Sequence, residues 1–489
     1  MKEAVAVFVA ALLVSGCSLA PEYHRPEQQL PSSWGYEAQA GQEMLSRQWW
    51  KRFQDETLNE FVDMALARNR DLEQSLARVE AARASLGMAR AGLFPQFSAQ
   101  GSGERSESSL DSSPSYGMME EIGLLDERVG ALEGRPGRSV SSPSRVGSLW
   151  SGAVQAAWEP DIWGRYRDAA SAAKESLLSA EEARRALELS VAGQVCSAYF
   201  DMLNYAAQLD LSRRTLTSRG QSAALYEKQY AAGAISELDI LNVRTQVDEL
   251  RDSLAQAGTR LEQAEGALLL LTGASPADIY AAEAKGRNRL EEASAVPQLP
   301  AGLPSELLNR RPDIRSAEAA LRAAHFQVGE ARAAFFPSIS LTAALGTASK
   351  ALNGLFTGPA GTWSYGGSVS LPLFTFGKTM SGVRQAEAAM HEAEAAYEKA
   401  VQQAFCDIRS SLAAQRGMAE SVKSLAEVRR RMEKAASLAR ARYAAGYSPY
   451  LDVLEAERTL YEAEMNLASR RSSQLSAIAQ VCVALGGGW

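Results

Sequence analysis

Few residues of this 489-residue chain stand at spacings that could do covalent chemistry. His24, His325 and His391 are far apart and in no metal-ligand pattern. The four cysteines are equally scattered, which indicates neither a zinc site nor a disulfide framework. Cys196, Cys406 and Cys482 lie in apolar, helix-forming contexts and read as buried structural thiols. No nucleophile–base pair or phosphate-binding loop appears, and isolated carboxylates among helix formers are ordinarily solvated. The pattern points away from an enzyme. With 51 Lys+Arg against 58 Asp+Glu, the net charge of −7 also makes nucleic acid a poor partner.

Cys17 differs from the other three. Lys2 precedes an apolar run over residues 4–14, too short for the roughly 20 residues that span a bilayer. This reads as a secretory signal over residues 1–16. Val14-Ser15-Gly16-Cys17 resembles a bacterial lipobox, which predicts diacylglycerol and an N-acyl chain such as palmitate on Cys17. Ser18 in the next position resembles lipoproteins sent to the outer membrane.

The elements that would position such a chain repeat. Residues 303–346 hold Pro312 at a helix start, an Ala-rich helix, a break at Pro337 and then an alternating strand. Gly87, Arg90, Phe94 and Pro95 recur as Gly329, Arg332, Phe336 and Pro337, 242 positions later. Gly164, Gly233 and Gly273 recur as Gly377, Gly446 and Gly486, 213 positions later. The chain is therefore a tandem duplication whose first copy carries an insertion, assigned to residues 103–147 and read as an exposed loop.

Alternation predicts strands near residues 94–101, 150–159, 338–345 and 363–372, with Trp150, Trp158, Trp363 and Tyr365 among their apolar positions. Such aromatic-bounded alternation fits an outer-membrane β-barrel. Four strands cannot close one, since the smallest have about eight, and lipid tolerates no open edge. Several chains must share a barrel. Residues 164–233 and 377–446 each allow a helix on the order of 100 Å. The return helix after Gly233 shows an a/d seam at Val247, Leu250, Leu254, Ala257, Leu261, Ala264 and Leu268. The second copy keeps Leu460, Ala463 and Leu467 but breaks that seam at Arg470 and Gln474. Before the first repeat, Trp49, Trp50 and Phe53 read as packing anchors.

The segments LPSELLNRRPDIRSAE, AAFFPSISLTAALG, WEPDIWGR, LPLFTFGK and ALGGGW closely resemble the outer membrane factor family of TolC-like export channels, and more narrowly its OprM/NodT-like efflux lipoprotein branch. The resemblance covers essentially the whole chain. It implies a mixed fold, a membrane β-barrel joined to an α-helical barrel. Each protomer of a homotrimer would give four strands and long coiled-coil helices to a twelve-stranded barrel and a periplasmic tunnel. The division would be an anchor and equatorial segment (17–55), a first repeat (56–273), an equatorial linker (274–303) and a second repeat (304–489). Members are passive ducts in the outer membrane, driven by an inner-membrane resistance-nodulation-division pump and docked through a periplasmic adaptor.

The resemblance also places the adaptor contact at the hairpin turns, at Gly233, Ala234, Gly446 and Tyr447. It puts a periplasmic gate at Leu451, Glu455 and Arg458, spaced by four and three on one helical face. Around a three-fold axis the leucines would form an apolar constriction and the glutamates a cation-attracting ring, with Arg458 bonding a neighbouring turn. The branch carries Asp where this chain has Glu455. From spacing alone the trio is equally an amphipathic turn with an i, i+3 ion pair. Rival readings are a duct for type I protein secretion or metal-ion efflux, and a lipid-anchored periplasmic coiled-coil scaffold.

Overall fold

The computed structural model describes residues 18–28, 47–107, 114–134, 146–277, 290 and 307–488. The signal segment, Cys17 and most of the 274–303 linker lie outside them. The chain forms two compact units. One comprises Met1–Pro21, Gly87–Ser171 and Phe326–Ala386, and the other Glu22–Leu86, Ala172–His325 and Glu387–Trp489.

The first unit is built on a four-stranded antiparallel sheet in the order β1 (Gln96–Glu107), β2 (Val146–Trp158), β3 (Ser338–Ser349), β4 (Gly361–Ser370). The strands outrun the expected ones at their turn ends. There the sequence is Ser, Gly and charge (Glu104, Arg105, Glu107), which hides the alternation but still pairs residue for residue with β2. The 103–147 insertion is not all loop, since it ends both strands and contains a helix, Pro114–Glu133.

The helices are α1 (Glu56–Arg68), α2 (Arg70–Ala91), α3 (Pro114–Glu133), α4 (Arg165–Ala231), α5 (Glu237–Leu271), α6 (Leu307–Arg310), α7 (Pro312–Ala333), α8 (Lys378–Ala444) and α9 (Tyr450–Ala484). The repeat is exact in length: α4 and α8 have 67 residues each, α5 and α9 have 35, and α2 and α7 have 22. Among the described residues no helix is long and apolar enough to cross a membrane.

One helix was expected from about residue 56 to 93, but Asn69 divides it into α1 and α2. Its backbone is extended, its Oδ1 accepts from the Asp71 and Leu72 amides, and its Nδ2 donates to the Leu271 carbonyl. The side chain satisfies donors that a continuous helix would have satisfied itself.

The second unit buries Trp49, Trp50 and Phe53 against Tyr199, Phe200 and Leu203 of α4 and Ile478 of α9. The seam read for α5 is its buried face, with Val247, Leu250, Ala257, Leu261 and Leu268 all buried. In α9 the buried stripe changes course after Leu467 to Ser472, Leu475, Ile478 and Cys482, leaving Arg470 exposed. Cys196 and Cys482 are buried as expected, and burial raises both thiol pKa values, that of Cys482 to about 12. Cys406 is exposed. The inward face of α8 runs through Val401, Ala404 and Ile408, and Cys406 falls between its rungs.

Candidate functional site: a two-faced sheet and two clasped turns

Residues directly opposite in an antiparallel sheet share a face, so the register sorts the side chains. Ala99, Val154, Leu345 and Trp363 form one cross-sheet row, and Phe97, Ala156, Ala343 and Tyr365 another on the same face. Trp363 and Tyr365 stack at 5.7 Å. The opposite face carries Ser98, Gln155, Ala344 and Ser364 in one row and Gln96, Ala157, Thr342 and Gly366 in the next. Its hydroxyls and amides bond one another, Ser102 to Ser151 at 2.7 Å and Gln155 to Gln100 at 3.4 Å. One face is thus apolar with aromatics and the other polar without charge at its centre. The apolar one is exposed: Phe97, Leu345, Trp363, Tyr365 and Val369 all meet solvent in the single chain. Among the described residues β1 and β4 each keep an unpaired edge.

In the second unit, α4 and α5 form one hairpin and α8 and α9 the other. Each long helix ends in the same way. Gly233 and Gly446 take φ of 73° and 76°, the left-handed conformation that suits glycine. The amides of Ala234 and Tyr447 then reach back to the carbonyls of Gln229 and Arg442, 2.8 and 2.9 Å away. The return helices start differently. Ser236 and Asp239 close a capping box on α5, whereas α9 starts after Pro449 with no side-chain cap.

The gate residues called from the sequence share a face at the start of α9. Leu451 is 53% exposed and Glu455 is exposed. Arg458 grips Glu455 through two nitrogens, at 3.0 and 2.6 Å, and also binds Glu462, so within one chain its partners are on its own helix. Those bonds hold the Glu455 carboxyl below its usual range.

Sequence reasoning missed the contacts behind this face. Tyr226 of α4 stacks on Tyr450 of α9 at 4.0 Å, with Tyr443 beside both, over Ile240, Val243 and Leu454. Burial pushes the Tyr226 hydroxyl far above its usual pKa. Arg219 of α4 is buried, donates to Gln246 at 2.6 Å and lies 3.9 Å from Glu457 of α9. Burial lowers its pKa, and Glu457 counteracts that.

Each hairpin is also clasped by an ion pair between its own two helices. In the first, Arg244 binds Glu227 at 2.8 and 2.9 Å; in the second, Arg440 binds Glu457 at 2.7 Å. The two clasps occupy equivalent repeat positions, 213 residues apart, with acid and base exchanged. That exchange could have been found by aligning the repeats, because both pairs span 17 residues.

Among the described residues no group of three or more His, Cys, Asp and Glu could hold a metal ion. The two-faced sheet and antiparallel hairpins are the elements of a membrane channel protomer. The chain belongs to the outer membrane efflux protein family, whose model matches residues 61–274 and 303–487. It is an outer-membrane protein of efflux, from a family of passive channels and not a class of enzymes. It is 35% identical to SrpC, a solvent efflux pump outer membrane protein of Pseudomonas putida, over 98% of this chain and 97% of that one. It is 31% identical to the cation efflux system protein CusC of Escherichia coli, over 99% and 98%. The CmeC outer membrane channel of Campylobacter jejuni superposes with a TM-score of 0.85 at 27% identity, covering 97% of this chain and 95% of that one.

Proposed function

We propose that the protein is the outer-membrane exit duct of a tripartite multidrug efflux system, a passive homotrimer served by a periplasmic adaptor and a resistance-nodulation-division pump. The observation that carries this is the sheet: one lipid-compatible face, one polar face and two unpaired edges. Three copies joined β4 to β1 make a twelve-stranded barrel with no edge left in lipid and a Gln/Ser/Thr-lined lumen. Six hairpins then form the periplasmic tunnel, and lipid on Cys17 adds an anchor.

The gate in this reading is the second turn. Its helix lacks the side-chain cap of the first, so less holds its opening turn in place, and it presents Leu451 and Glu455 to solvent. Three copies would set an apolar constriction beside a carboxylate ring, with Arg458 able to exchange Glu455 for a partner on the next copy. An adaptor seated on the turns around Gly233, Ala234, Gly446 and Tyr447 would favour the open arrangement. The relation to SrpC makes solvents the first substrates to test, and the relation to CusC makes cations the second.

Single-channel conductance in a planar bilayer tests the reading. The parent protein is expected to conduct weakly, and Leu451→Ala/Glu455→Ala several-fold more. Equal, high conductance in both would keep the duct and remove the gate from this turn. No conductance in either, with protein inserted, would end the duct reading.

A further inference from the structure

Helix α3 carries a second association surface. Met118, Ile122, Leu125, Val129 and Leu132 step by 4, 3, 4 and 3 residues, an a/d stripe over two heptads, and are 41–88% exposed. Gly130 beside the stripe is buried and Asp126 half-buried, while Gly123 opens on empty space. The apolar stripe itself is left open to solvent. Two heptads are too short to be stable as an isolated coil.

We infer that this stripe packs against the same stripe of other copies of the chain, forming a short coiled coil at the end of the barrel away from the long helices. The inference rests on the oligomeric duct proposed above. α3 is spliced between Glu107 of β1 and Val146 of β2, the ends opposite Gln96, which follows α2, and Trp158, which leads into the long helix α4. Strand pairing between copies would bring one α3 per copy to the same rim. Such tethering replaces free encounter with a high effective concentration, which a marginal two-heptad seam needs. A 3.5-residue apolar period packs against another helix of the same period, which every further copy of the chain supplies. The polar side excludes the other obvious occupant. The helix carries Glu120, Glu121, Asp126, Glu127 and Glu133 against a single Arg128, whereas helices that lie on anionic lipid are rich in Lys and Arg.

The test uses the full chain in native membranes, in a Cys406→Ser background that removes the exposed native thiol. Leu125→Cys lies on the stripe and Glu127→Cys on the far side. Under copper–phenanthroline oxidation, Leu125→Cys is expected to give at least tenfold more disulfide-linked dimer than Glu127→Cys. Adding Ile122→Glu/Val129→Glu to Leu125→Cys should abolish the dimer while the oligomer persists on native gels. An intact oligomer with equal or no cross-linking at the two positions overturns the inference and leaves the duct standing. Quenching of a bimane label on Leu125→Cys by brominated lipid would overturn it too, assigning the stripe to the bilayer. A monomer on native gels would instead defeat the duct reading, and the inference with it.

Discussion

At the scale of single residues, burial decides which charges matter. Arg219 is desolvated beside Glu457, and Glu457 also receives Arg440. Glu457→Gln leaves a buried guanidinium without its counter-charge and is expected to cost about 3 kcal/mol, read from the denaturant midpoint. Glu227→Gln breaks the equivalent clasp of the first hairpin, where both partners are half-exposed, and should not move the midpoint measurably. A second prediction concerns acid. Burial would raise the Glu318 carboxyl, but Arg25 and Arg322 outweigh it and hold the pKa below the usual range. Glu318 thereby ties the 22–28 segment to α7, through Arg25 and through Tyr23 at 3.1 Å. A depressed carboxylate pKa stabilises above the unfolded value of about 4.3, and that stability is lost as pH falls through the folded value. Stability of the parent should drop across that acid window, and Glu318→Gln should lose this part of the pH slope.

At the scale of elements, what could be read ahead depended on periodicity. The long helices, the α5 seam and the strand faces announce themselves because one side chain in two or in three and a half must be apolar. The outer ends of β1 and β2 do not, because Glu104, Arg105 and Glu107 are held by backbone pairing and not by a buried face. Asn69 was hidden for another reason: its partner, the Leu271 carbonyl, is 202 residues away. The Tyr226–Tyr450 stack and the Arg219–Glu457 pair join different hairpins, and only the fold brings those together. The capping difference yields a prediction of its own. Ser236→Ala removes the acceptor for the Asp239 amide and should cost about 1 kcal/mol. If the absence of that device frees the second turn, Ser236→Ala should also raise amide exchange over the first residues of α5 toward the level of α9. Equal exchange in the parent would contradict the argument.

For the whole molecule, the sheet is unfinished in one chain while the helical unit has its own core. Damage to an edge strand should therefore separate assembly from folding. Ser364→Pro/Ser368→Pro removes two amide donors from β4. Circular dichroism is expected to retain the helical signal, and native gels to lose the oligomer. Survival of the oligomer would show that strand pairing is not what joins the copies.

The exchanged clasps have a consequence for how the chain finds its fold. A duplicated protein risks confusing its halves, since α5 and α9 have equal length and either could close on either long helix. If α4 closed on α9, Glu227 would face Glu457; if α8 closed on α5, Arg440 would face Arg244. Each wrong partnership sets like charges together where each right one sets opposites. Each hairpin thus carries a charge pattern that matches its own return helix and opposes that of the other repeat.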